Sequence, residues 1–194
     1  RPASASRCGS SARRGIARIL FFPRHRPPAH VIHDAGEVEA AWSWIQERWA
    51  ALHGSLLTRN QAIFIASRQI RGRVALARAA TGAPEAGRLL ELAESDARAM
   101  EGQKAGWGNA LATLMRAGVA SLRDRKDTAA TLLQRAEQEA AAAEIGLHVA
   151  VARRLRGVLS GEAALVESAD AWMREQGIRN PQRMAEITGP GRWS

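Results

Sequence analysis

The feature that most constrains the fold is the helical spacing of apolar residues. From Gly36 onward, five of them recur at alternating intervals of four and three residues, which places them on one face of an α-helix. They are Val38, Trp42, Ile45, Trp49 and Leu52. Alanine is abundant, tyrosine is absent and 46% of the residues are hydrophobic, a balance that favours helix over strand and supplies a core. The sequence therefore predicts an all-α chain whose first helix ends at Gly54-Ser55.

A seven-residue apolar repeat predicts a second helix. Its members are Leu56, Ile63, Ile70 and Ala77. The segment 81–84 then breaks the pattern, and Pro84 is predicted to occupy the first position of a third helix that runs to about Gln103.

Glycines and polar turns divide the rest of the chain into five more helices, eight in all. Gly106-Trp107-Gly108 is predicted to separate the third helix from the fourth, Asp127 to cap the fifth helix and Gly146 to end it. Asn180 followed by Pro181 predicts a capped start for the last helix. The predicted ranges are 109–122, 127–145, 148–159, 162–176 and a short helix from 181.

An internal repeat is predicted from small residues. Ala-x-x-x-Leu-x-x-Ala begins at Ala86 and again at Ala129, and the preceding helices contain internal glycines, Gly72 and Gly118, with a third at Gly157. Because glycine costs about 1 kcal/mol relative to alanine inside a helix, these positions indicate close helix approach. The order resembles the tetratricopeptide repeat, with irregular spacing, and implies a short solenoid of antiparallel helix pairs. A plain alanine-rich bundle is the alternative.

The first 33 residues have a different character. Residues 1–35 hold seven arginines against one acid, a net charge of +6 out of +9 for the whole chain. We predict a disordered basic leader over 1–33 and a helical-repeat domain over 34–194, with an organelle transit peptide as the alternative for the leader. Because most of the basicity lies in the leader, nucleic acid is an unlikely partner of the helical body.

The remaining composition excludes several classes of site. Cys8 is the only cysteine, so the chain forms no internal disulfide and has no cysteine cluster for zinc, which fits a cytoplasmic setting. No apolar run approaches the length of a membrane span. We expect no metal site and no cofactor.

The closing sequence carries a family resemblance. The residues Ala171-Trp172-Met173, Gln176 to Pro181 and Arg183-Met184 resemble the end of large bacterial serine/threonine protein kinases. In that family a kinase domain is followed by an ATPase-like module and a helical-repeat region. The resemblance implies that this chain is the C-terminal part of such a kinase.

Catalysis is not implied for the chain itself. It contains no glycine-rich kinase loop, no His-Arg-Asp or Asp-Phe-Gly motif and no phosphate-binding Gly-x-x-x-x-Gly-Lys-Ser/Thr loop. His53 and His148 have no nucleophile at a suitable spacing, and Asp124, Asp127, Glu137 and Glu139 have capping or surface explanations. We therefore predict no catalytic residue.

Partner contacts are the remaining candidates for function. Trp42, Trp49 and Trp172 fall on apolar helix faces and are predicted to be core, whereas Trp44 lies off that face. Arginine clusters at 68–73 and 153–156 could bind an acidic surface, with a solvated helix face as the alternative. The candidate partner-binding residues are Trp44, Arg68, Arg71, Arg153 and Arg154.

The sequence thus predicts a non-catalytic interaction segment. Its partner would be another protein or the upstream domains of the same polypeptide. The alternative is the helical sensor arm of an ATP-dependent transcriptional regulator.

Overall fold

A computed structural model describes residues 35–193, and in that range the chain contains helices and no strand. The predicted leader, 1–33, lies outside the described residues. This described range contains eight α-helices, which we number in chain order, and a 3₁₀ turn at Leu56–Arg59. They are α1 (Ala35–His53), α2 (Gln61–Ala80), α3 (Ala86–Glu101), α4 (Gly106–Leu122), α5 (Lys126–Ala142), α6 (Gly146–Ser160), α7 (Ala163–Glu175) and α8 (Pro181–Thr188).

One type of turn recurs at the helix ends. At Asp124, Glu144, Gly161 and Gly177 the backbone enters the left-handed region, with φ between 56° and 80°. The next N–H donates to a carbonyl five residues earlier, from Arg125 to Ala120 at 3.0 Å for example. This is the Schellman motif, which satisfies carbonyls that a helix end leaves free. It reverses the chain within a few residues, so consecutive helices pack as pairs.

Two asparagines start helices as N-caps. The Oδ1 of Asn60 accepts from the N–H groups of Ala62 and Ile63, at 3.0 and 3.2 Å, and opens α2. The Oδ1 of Asn180 accepts from the N–H of Arg183 at 3.0 Å, with Pro181 at the first helical position. The predicted start of the last helix is confirmed.

Two predicted boundaries are wrong because glycine serves packing there. Gly106–Gly108 do not lie between α3 and α4 but form the first turn of α4, and a Cβ on Gly108 would lie 2.9 Å from Ile65. Gly146 does not end α5 but begins α6, where a Cβ would lie 2.8 Å from the Trp172 ring. The left-handed Glu144 ends α5 instead.

Two other helix starts also differ from the prediction. Pro84 lies in the turn before α3, which begins at Ala86. Asp127 lies in the first turn of α5, whose N-cap, Arg125, has no side-chain hydrogen bond. A carboxylate there interacts with the positive end of the helix dipole rather than capping it.

The predicted apolar face of the second helix is wrong at two of its four positions, whereas Ala77 is buried as predicted. Leu56 belongs to the 3₁₀ turn and is 72% exposed, and Ile70 is 43% exposed. Ile65 and Leu76 are fully buried instead. Because α2 packs against α1, α3 and α4, its buried residues cover a wide arc that a seven-residue stripe does not follow.

The second helices of the three pairs α2–α3, α4–α5 and α6–α7 have one buried pattern. Alanine is fully buried at Ala93, Ala136 and Ala169, which are spaced 43 and 33 residues apart. Large residues precede each alanine by three positions, at Leu90, Leu133 and Val166. The large-to-small half of the predicted repeat thus recurs in α7, whereas Glu162 stands at the position of the first small residue and Val166 is only partly buried.

The three internal glycines do not make one repeated contact. Each allows close approach, as predicted, but the neighbour differs each time. A Cβ on Gly72 would strike Met115 of α4, one on Gly157 would strike Leu165 of α7, and one on Gly118 would lie 2.4 Å from the carbonyl oxygen of Pro190, beyond α8. The third contact shows that residues near Pro190 pack directly on α4.

Candidate interaction site

The predicted arginines at 68 and 71 are occupied within the fold. Arg71 donates to both carboxylate oxygens of Asp96 on α3, at 2.8 and 2.5 Å, and Arg68 adds a third bond at 2.8 Å. Asp96 is fully buried, and the Arg71 guanidinium lies over the Trp49 ring at 3.4 Å. These contacts join α1, α2 and α3. Arg68 and Arg71 are therefore structural ion-pair partners.

The arginines of α6 are occupied in the same way. Arg153 pairs with Glu137 on α5 at 2.8 Å, and Arg154 pairs with Asp170 on α7 at 2.7 Å. Burial of the Arg154 side chain, 11% exposed, indicates a bond between helices rather than a surface contact. The predicted arginine sites are not brought together into one surface.

Trp44 is partly buried against the core that α1 shares with α2 and α3. The guanidinium of Arg48, one turn later, lies 4.7 Å from its ring centroid. Trp42 is buried, and Trp49 and Trp172 are partly buried against the core, so the core prediction for these three tryptophans is confirmed.

Charge is segregated between alternate helices. The first helices of the three pairs, α2, α4 and α6, contain eight arginines and no aspartate or glutamate. Within the described residues, seven of the eight form ion pairs with carboxylates on other elements. The exception is Arg73. It forms no ion pair with any residue that the structure describes.

Arg73 binds the main chain of the last helix instead. Its Nε donates to the carbonyl oxygen of Ile187 at 2.9 Å, near the C-terminal end of α8. Burial lowers the pKa of Arg73 to about 10, and the side chain remains charged at neutral pH. A helix C-terminus carries a partial negative charge, so α8 stabilises this cation only in part.

His148 lies beside Arg73. Burial and, secondly, the charge of Arg73 lower the pKa of His148 to about 4, so its imidazole is neutral at pH 7. The pKa of His53, which is exposed, is also lowered, by burial first and then by Arg68 and Arg71.

Residues 181–193, which we call the terminal segment, lie against α2, α4, α6 and α7. We call the face that α2, α4 and α6 present to the segment the groove. Ser121 accepts from the N–H of Arg192 at 3.0 Å, and Gly118 allows the Pro190 carbonyl to approach α4. A Cβ on Gly189 would lie 2.7 Å from Leu155 of α6. The groove thus contacts main-chain atoms of the terminal segment at several points.

The terminal segment also folds on itself and leaves space beside it. The Trp193 indole N–H donates to the carbonyl oxygen of Gly189 at 3.0 Å, and its ring is 7% exposed. An open cavity of about 630 Å³ lies between the segment and the three helices, with Leu122, Leu155 and Val158 among its walls. The segment therefore fills the groove only partly.

Other kinds of site are not found. No helix of the described range is long and apolar enough to cross a membrane. Between residues 35 and 193 no cluster of three or more histidine, cysteine or carboxylate side chains could hold a metal ion. No family model, curated protein or solved structure matches the chain.

Arg73 belongs to the arginine cluster at 68–73, but its neighbours Arg68 and Arg71 were the predicted contacts. The signal that separates it is the distribution of acids. Because α2, α4 and α6 contain no aspartate or glutamate, each of their arginines needs a carboxylate from another element. Arg73 has none among the described residues, and this identifies the candidate site.

Proposed function

We propose that this chain is a non-catalytic protein-interaction segment, built of tetratricopeptide-like helix pairs, whose groove binds a peptide segment. The observation that carries the proposal is the contact between groove side chains and main-chain atoms of residues 187–192. Side chains that bind the main chain of a short segment are typical of peptide-binding surfaces, in which affinity does not depend on every side chain of the ligand.

The cellular role rests on the closing sequence. We propose that the segment regulates or scaffolds a bacterial serine/threonine kinase of the kind whose end it resembles. Gly177, at φ 80°, Asn180 and Pro181 are residues that the turn into α8 requires. The residues that carry the resemblance are thus turn and core residues. The resemblance therefore supports a terminal segment that folds in the same way as the end of those kinases.

Genomic sequence tests the kinase assignment. The coding sequence upstream of Arg1 is expected to encode kinase and ATPase motifs. If it encodes neither, the assignment is wrong, and an adjacent helix-turn-helix region would favour the sensor arm of a transcriptional regulator.

Cleavage of the folded chain tests the groove. A site for a specific protease is inserted between Arg179 and Asn180, both exposed, and the folded chain is cleaved there. We expect the terminal fragment to remain bound, to dissociate on dilution and to rebind. The larger fragment contains five of the six tryptophans, so rebinding is followed by the fluorescence anisotropy of a dye attached to the isolated terminal fragment.

The matched control carries the same insertion between Gln103 and Lys104, in the α3–α4 turn. Cleavage there divides the core and is expected to unfold the chain. If loss of the terminal fragment unfolds the remaining helices to the same extent, the segment is part of the core and the groove is not a binding site.

A further inference from the structure

Arg73 is the feature that the proposed function leaves unexplained. Arg73 is half-buried. A cation that loses part of its hydration is normally paired with a carboxylate, because its desolvation is otherwise uncompensated. The other seven arginines of α2, α4 and α6 follow this rule. Arg73 has a main-chain carbonyl and a neutral histidine as neighbours.

The end of α8 occupies the position of a carboxylate without its full charge. A helix C-terminus carries about half a negative charge and has free carbonyl oxygens. A carboxylate carries a full charge and accepts two parallel bonds from a guanidinium, as Asp96 does from Arg71. A ligand with a carboxylate at this point would therefore satisfy Arg73 better than Ile187 does.

We propose that the groove binds an acidic segment of a partner protein, with its carboxylate on Arg73, and that residues 181–193 are an internal segment that the partner displaces. This inference rests on the proposed function and names its partner chemistry and its regulation. Charge complementarity supports the choice of partner, because Arg73 is the one arginine of α2, α4 and α6 that no carboxylate of the described residues neutralises.

The contacts of the terminal segment are consistent with displacement. Its two ordered bonds to the groove come from single side chains, Arg73 and Ser121. Gly189 and Gly191 make the closest main-chain contacts. Ala185 and Trp193 are buried in a core cluster with residues of α4 and α6, and Arg192 pairs with the exposed Asp124 at 3.2 Å, so displacement exposes two apolar side chains and breaks one surface ion pair. The cavity of about 630 Å³ beside it gives an incoming segment a first place to bind.

The experiment uses the full chain and two peptides. One is a helical alanine–glutamate peptide with blocked ends, and the other has glutamine in place of each glutamate. Binding is measured by fluorescence anisotropy, and hydrogen exchange of residues 184–193 reports whether the terminal segment leaves the groove. The glutamate peptide is expected to bind and to raise that exchange, and the glutamine peptide is not.

Two variants test the two parts of the inference. Arg73→Gln removes the cation and is expected to abolish binding, while Arg125→Gln, an exposed arginine outside the groove, leaves binding unchanged. Gly118→Ala places a Cβ against Pro190 and is expected to release the terminal segment and tighten binding about tenfold, because more of the protein is then competent to bind. Ser121→Ala, which removes one bond to the segment, is a milder second variant.

Each outcome decides a part of the proposal. Equal binding to Arg73→Gln places the acidic peptide elsewhere and overturns the assignment of Arg73. If Gly118→Ala raises the exchange of residues 184–193 but the glutamate peptide does not bind to it, the acidic partner is wrong. The terminal segment is then still separable, and the cleavage experiment measures this independently. If the glutamate peptide binds but the exchange of residues 184–193 does not change, the peptide does not displace the terminal segment. Unchanged exchange in both Gly118→Ala and Ser121→Ala also overturns displacement.

Discussion

Arg73 of α2 donates a hydrogen bond of 2.9 Å to the carbonyl oxygen of Ile187, so a side chain from the first helix pair binds the end of the last helix. The two residues are 114 positions apart in sequence. Through this bond the terminal segment contacts α2 as well as α4 and α6. Any change that alters Arg73 or its surroundings is therefore expected to alter the docking of α8.

The protonation of His148 gives a pH-dependent stability. Its pKa is about 4 in the folded chain against 6.5 in an unfolded one, so the unfolded state binds the proton more tightly. The stabilisation from neutral His148 is complete above pH 6.5 and is lost as the pH falls from 6.5 towards 4. Linkage predicts a loss of about 2 kcal/mol between pH 7.5 and pH 5 from this group.

Urea unfolding at both pH values measures this effect. His148→Gln is expected to lose about 2 kcal/mol less between pH 7.5 and pH 5 than the wild type does. His53→Gln, at the exposed histidine, should keep more of the wild-type difference in unfolding free energy between pH 7.5 and pH 5 than His148→Gln does. A wild-type and a His148→Gln chain with the same pH dependence would contradict a neutral, partly buried His148.

The cluster of Arg68, Arg71 and Asp96 predicts that Asp96→Asn, which only replaces a carboxylate by an amide, causes a large loss of stability. Asp96→Asn leaves two arginines, with side chains 15% and 10% exposed, without their counter-charge. Breaking a buried ion pair from one side costs about 3–5 kcal/mol. Thermal or urea unfolding measures it, and Asp124→Asn, at the exposed pair with Arg192, serves as the control, with an expected effect below about 1 kcal/mol. Similar small effects for both variants would mean that the buried cluster is not stabilising the α1–α3 contact.

Helix number and most helix positions were predictable because apolar spacing and turn chemistry are local. The Asn180–Pro181 start is such a case, since an N-cap and a fixed φ act within one turn. The role of Gly108 and Gly146 was not predictable in the same way. Both are glycine because Ile65 and Trp172, on other helices, occupy the space of a Cβ, and a single sequence does not state which residues meet.

The candidate site was predictable only in part for the same reason. The arginine clusters were visible, but pairing across helices decides which members are free to bind a partner. Arg154 and Arg73 look alike in sequence, and only the position of Asp170 on α7 separates them. The terminal segment was predicted as a helix, and its place in the groove follows from long-range contacts alone.

Glu144 offers a stabilising substitution. It occupies the left-handed position of the α5–α6 turn at φ 56°, is exposed, and forms no ion pair with the described residues. A side chain in that conformation costs about 1 kcal/mol relative to glycine. Glu144→Gly is therefore expected to raise the free energy of unfolding by about 1 kcal/mol. The converse change, Gly161→Ala in the α6–α7 turn, should lower it by a similar amount, and the same sign for both would contradict the turn assignment.

Two glycine-to-alanine substitutions separate packing from helix propensity. A Cβ on Gly157 of α6 would lie 2.8 Å from the Cβ of Leu165 and 3.0 Å from the carbonyl oxygen of Glu162, and neither atom is the end of a flexible side chain. A Cβ on Gly87 of α3 meets nothing within 4 Å. Gly157→Ala is expected to lower the free energy of unfolding by about 1–3 kcal/mol through overpacking, although alanine is the better helix former. Gly87→Ala is expected to raise it by about 0.5–1 kcal/mol, because only propensity acts there.

Urea denaturation of the two variants measures both values. Stabilisation of the chain by Gly157→Ala would mean that α6 and α7 do not approach each other this closely, and that the helix pair nearest the terminal segment packs differently.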